Sequence, residues 1–155
     1  MKNRFTYVAA ALFALAAFLP ASAQQDNGYW NAASSNALAI TGDIRIASAK
    51  LTINYASFPL AQIRALKPDE AAAVFDADSN SPVSGNLYRL NVPADKRFLH
   101  HNTLCGTDDT QWMVTLSAGR SLQVAFFSGA EMPVLTIDAL AHSTSLCGTF
   151  SYARY

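Results

Sequence analysis

Charge is scarce in this chain. Asp, Glu, Lys and Arg make up 14% of its 155 residues, against about 25% in an ordinary soluble domain. Much of the surface must therefore be Ser, Thr, Asn and Ala, which suits strands and loops better than charge-laced helices. Beyond the N-terminus no basic run occurs, which argues against nucleic acid, since that partner demands a clustered positive face. No second apolar stretch is long enough to span a bilayer as a helix. There is no G-x-S-x-G elbow, no H-E-x-x-H and no phosphate-cradling glycine loop. The sequence therefore assigns no catalytic, cofactor-binding or metal residue and implies no cofactor.

What is present begins with an export signal. Lys2 and Arg4 give a positive start, and Phe5 to Leu19 is apolar apart from Thr6. Pro20 then breaks the helix before Ala21-Ser22-Ala23, the small-x-small pattern of a signal peptidase site. The apolar stretch is too short for a spanning anchor. Residues 1–23 are expected to be removed, leaving Gln24 first, in a Gram-negative periplasm or outside the cell. Without Lys2 and Arg4, the 11 basic residues fall to 9 against 11 acidic ones.

Residues 24–36 are polar, with Asn27-Gly28 as a turn signal and Tyr29-Trp30 as the bulky pair, and read as a flexible N-terminal arm pinned by Trp30. A single β-rich domain is expected over 37–155. Its opening shows a period of two, in Leu38 and Ile40, in Ile44 and Ile46, then in Leu51, Ile53 and Tyr55 against Thr52 and Asn54. Such alternation marks strands with one buried face. Phe58 to Leu66 fits a further strand, with Pro59 confining it to an edge or its first residues. Lys67 to Val74 is the one helical turn: Pro68 suits a first helical position, and Asp69 and Glu70 suit the positive end of the dipole. Leu87 to Val92, Gln111 to Leu116, Ser121 to Ser128, Val134 to Ile137 and Thr149 to Tyr155 complete the strand candidates. The central pair is joined by the hairpin-length loop Ser117-Ala118-Gly119-Arg120. About seven or eight strands with at most one short helix imply an all-β fold, a small antiparallel barrel or sandwich.

Cys105 and Cys147 are the only cysteines, each in a Leu-Cys-Gly-Thr tetrapeptide. In an oxidising compartment an even pair reads as a disulfide. A redox-active pair usually has C-x-x-C spacing, which is lacking. His100 and His142 each stand five residues before a cysteine, so the two imidazoles could face one another across the bridge. Two histidines on polar loops are the plainer reading, because zinc wants three or four ligands. Asp76, Asp78 and Asn80 reproduce the first half of a calcium loop, but Ser81 and Leu87 occupy the positions that need Gly and Glu. Asp108 and Asp109 are adjacent and would point to opposite faces of a strand. Trp112, Phe126, Phe127, Phe150 and Tyr152 fall on expected strands and read as core. Since Phe126 and Phe127 must diverge, one of them faces outward: into a ligand mouth, onto a partner surface or under the helix.

Several landmarks resemble a group of exported proteobacterial proteins to which no activity is attached. They are Ala39-Ile40-Thr41-Gly42-Asp43-Ile44, Asn102-Thr103-Leu104-Cys105-Gly106, Phe126-Phe127-Ser128-Gly129 and Leu146-Cys147-Gly148-Thr149-Phe150-Ser151-Tyr152. The resemblance implies export and no chemistry. By fold analogy alone the architecture is similar to lipocalin-like or lysozyme-inhibitor barrels. Two functions follow as expectations. One is a non-enzymatic binding protein of the cell envelope, holding a protein partner or a small apolar ligand. The other is a small envelope hydrolase using His100, His101 or His142 with a nearby carboxylate.

Overall fold

The computed structural model describes residues 25–155; the expected signal peptide lies outside them. Eight strands close into one antiparallel barrel in which every strand neighbours the next in sequence. They are β1 (Gly28–Ala32), β2 (Ile44–Ala47), β3 (Lys50–Ile53), β4 (Ala56–Ala65), β5 (Ser84–Val92), β6 (Thr110–Ala118), β7 (Ser121–Ser128) and β8 (Leu146–Ala153). The final join is β1 against β8, with Asn31 opposite Ala153 and Ala32 opposite Tyr152. Barrel and sandwich share the same alternation, and this closure decides between them.

The inward rows follow directly from the period of two. Trp30, Ile44 and Ile53 lie side by side across β1–β3, and Tyr88, Met113 and Phe126 across β5–β7. The interior is aromatic and aliphatic, with Trp30, Phe126, Phe150 and Tyr152 all fully buried and Phe126 edge-on to Phe150 at 5.3 Å. Across β1–β4 the outward row is Tyr29, Arg45, Thr52 and Ser57. Over these four strands the apolar side chains face in and the polar ones face out. Among the described residues, no helix is long and apolar enough to cross a membrane.

A second apolar layer lies outside the barrel. Leu87, Trp112, Val114, Ala125 and Phe127 project from β5–β7 and are covered by two helices, α1 (Pro68–Phe75) and α2 (Ile137–Ala141), with Val74, Phe75 and Leu140 contributing. Phe127 is thus the outward member of its pair, and it lies in the layer beneath the helices. α1 begins as expected with Pro68 at its first position. It is tied to β4 by a bidentate Arg64–Glu70 ion pair with both N–O distances 2.7 Å, while Glu70 also accepts the Lys67 amide.

The structure corrects four local expectations. The segment expected to be an arm carries β1, because Trp30 on the inward face is too large to leave outside. Ala37–Thr41 is a π-helical turn rather than a strand; Ala37 and Thr41 are its buried residues while Leu38 is exposed. Tyr55 does not share the inward face of Leu51 and Ile53. It sits beside Asn54 in the two-residue β3–β4 turn, with φ of 45° at Asn54 and 67° at Tyr55, and it is 100% exposed. Ile137 opens α2, where Thr136 caps the helix by accepting the Ala139 amide, so Val134–Ile137 is not a strand.

The bridge forms as expected. Cys105 and Cys147 are disulfide-bonded with Cα atoms 4.9 Å apart. In β8 the register against β7 slips between Leu146 and Gly148, leaving Cys147 as the extra residue. Bulges re-aim side chains, and this one frees Cys147 from the regular ladder at the point where it meets the β5–β6 connection.

Candidate functional site

Because the strands run up and down, residues before β1 lie at the same barrel end as the β2–β3, β4–β5 and β6–β7 connections. The opposite end is capped by Ala37, Phe98 and Leu104, all buried in the core. At the first end the chain places a carboxylate inside. Asp26 is 0% exposed.

Four neutral donors converge on that carboxylate. Its Oδ2 accepts from Asn86 Nδ2 at 2.9 Å, Tyr88 OH at 2.7 Å and Thr115 Oγ1 at 2.5 Å, and its Oδ1 accepts from Ser117 Oγ. The Asp26 carbonyl accepts from Trp30 Nε1 at 2.8 Å, and Gln62 Nε2 donates to Asn86 Oδ1 at 2.8 Å. Strand register explains the convergence: Asn86 and Thr115 are directly paired, and Tyr88 and Ser117 are inward neighbours two residues along. Burial, then the adjacent Asp26 carboxylate, pushes the Tyr88 phenol well above its ordinary value, so it stays a donor at any physiological pH. On this side Arg154 lies 4.4 Å over the Trp30 ring and donates to the Asn27 and Gly119 carbonyls.

Sharing Tyr88 with the cup is a surface depression of about 450 Å³, lined by Asn27, Ile46, Ser48, Ala49, Leu60, Ala61, Gln62 and Tyr88. Tyr88 belongs to both the depression and the cup. This is the arrangement common in ligand sites, an apolar mouth over a few convergent polar groups.

The residues singled out from sequence lie elsewhere. His100 and His101 are both exposed with left-handed φ, 54° and 63°, in the β5–β6 connection. His142 is exposed at the end of α2, its Nδ1 2.9 Å from the Asp138 carbonyl oxygen. Each stands without a hydrogen-bonded carboxylate partner among the described residues. Asp76 ends α1 as a left-handed cap, and Asp78 accepts the Asn80 amide. Asp109 accepts the Ala94 amide, fastening the connection ahead of β6. Among the described residues, no three His, Cys, Asp or Glu side chains converge as a metal set would.

Sequence reading missed Asp26 because a lone Asp beside Asn-Gly looks like a turn residue. The available signal was polar side chains at inward positions of alternating strands, Asn86, Thr115 and Ser117, which had to find an internal partner. No family model, curated protein or solved structure matches the chain.

Proposed function

We propose that this chain is an exported, non-enzymatic binding protein of the cell envelope, and that it takes a small ligand with an apolar body at the mouth above Asp26. The observation that carries this is the joining of an apolar depression to a polar cup through Tyr88. The N-terminal segment and the disulfide support the address. The hydrolase alternative has less support, since each histidine lies exposed on a loop or helix end, away from the cup.

Native extraction of the protein from the periplasm of a Gram-negative host, followed by mass spectrometry of small co-eluting molecules, tests the reading. An apolar organic ligand lost on Leu60→Arg is the expected result. Ester or amide hydrolysis abolished by His100→Ala, His101→Ala or His142→Ala would replace it with the hydrolase.

A protein partner is a second reading with an observation of its own. Tyr55 is wholly exposed in a backbone conformation that favours glycine, and it rims a depression with Tyr29 and Arg45. Strained, exposed aromatics are placed where something meets them.

A further inference from the structure

We infer that the cup formed by Asn86, Tyr88, Thr115 and Ser117 is a carboxylate-binding site, that Asp26 occupies it as a tethered competitor, and that its external ligand is a monocarboxylate with an apolar tail.

The donor set is built for a carboxylate. Two oxygens receive four donors, three on one and one on the other, and all four come from barrel strands. Asp26 itself comes from outside the strands, two residues ahead of β1. The binding groups are therefore held on barrel strands, and the occupant comes from the segment ahead of them. No cation touches the carboxylate among the described residues, and neutral donors can offset the burial of one negative charge far more readily than two. That favours a monocarboxylate over a phosphate ester. The space next to the cup is lined by Ile46, Leu60 and Ala61, which suits an alkyl chain following the head group.

This inference rests on the ligand reading above for the tail, but the cup can be tested without it. In the chain starting at Gln24, Asp26→Gly removes the tethered carboxylate and leaves the four donors in place. Formate should raise the thermal midpoint of Asp26→Gly clearly beyond sodium chloride at matched ionic strength, while the unaltered chain shows no such difference. Adding Ser117→Ala should weaken the rescue. Equal effects of formate and chloride would overturn the carboxylate site. If Asp26→Gly folds only with help, refolding yield in formate against chloride separates the same two outcomes. The tail is tested with decanoate and decanol. Decanoate should bind Asp26→Gly at least about tenfold more tightly than formate, because burying even a few methylenes is worth that much, and decanol should bind far more weakly. If formate rescues but decanoate binds no better, the cup stands, while the apolar tail and the ligand reading on which it rests both fail.

Discussion

At the scale of single residues, the largest stake is Asp26. Asp26→Ala would remove the acceptor that four buried donors share; a buried donor left unpaired costs about 1–3 kcal/mol, and Thr115 keeps the Asn86 carbonyl 3.5 Å away. Water entering from the mouth would recover part of that. A net loss of about 2–4 kcal/mol in urea unfolding is expected, with Asp26→Asn losing less because its amide oxygen still accepts. Tyr55 runs the other way. At φ 67° a side chain strains the backbone by roughly 1 kcal/mol, and full exposure gives it no packing in return. Tyr55→Gly should therefore stabilise the fold by about that amount; if it surfaces as a loss of binding to a protein partner, the second reading gains. Tyr88 and Tyr152 set an alkaline limit. Both phenols are raised above the ordinary value of 10.0, chiefly by burial. The folded state holds those protons more tightly than the unfolded one, so stability is intact below about pH 10 and falls as pH rises beyond it. A urea series from about pH 8 to 11 should show that decline, and Tyr152→Phe should flatten it.

At the scale of elements, the bridge and the ion pair fix the two parts that the strand ladder alone holds less firmly. The cysteines are 42 residues apart in sequence, and closing that loop is worth about 4 kcal/mol in the chain-entropy model. Reduction should loosen β8 and the β5–β6 connection first, visible as faster amide exchange at Gly148 and Thr149 than at β6. The Arg64 guanidinium, by direct hydrogen bonding, holds the Glu70 carboxyl below its ordinary 4.5, with the Lys67 amide adding to the effect. Its contribution is thus present above about pH 4.5 and lost as pH falls through the lowered value. With Arg64 36% exposed, Glu70→Gln should cost no more than about 1 kcal/mol at neutral pH. Most elements were legible because period two is strong wherever one face is buried, as in Ile44/Ile46 and Leu51/Ile53. The misreadings came where alternation was short: Leu38 and Ile40 span one π-helical turn, and Tyr55 merely extends a pattern that Asn54 has already ended. In the β5–β7 sheet both faces are apolar, since α1 and α2 cover the outside, so periodicity could not tell which of Phe126 and Phe127 lay inward.

At the scale of the molecule, the barrel has two unlike ends. One is stoppered by Phe98 and Leu104 beside the disulfide, and its closure is apolar. The other is closed by an acid from the first turn of the described chain, under a mouth open to solvent. Trp30 was readable as a bulky residue that pins its segment to the domain. What no single stretch could reveal was that Asn86, Thr115 and Ser117, spread over two strands, share one acceptor that precedes the first strand. Long-range convergence of polar groups is a property of the closed barrel rather than of any local pattern. It also makes the segment ahead of β1 part of the fold; the proposed cleavage after Ala23 would leave Asp26 third from the new end.

The most direct measurement is urea unfolding of two proteins, one beginning at Gln24 and one beginning at Asn27. The shorter protein should still form the barrel but be less stable by about 2–4 kcal/mol, the cost of leaving buried donors unpaired, and added formate should recover part of the loss. Equal stability of the two, with no response to formate, would contradict a barrel end held closed by Asp26.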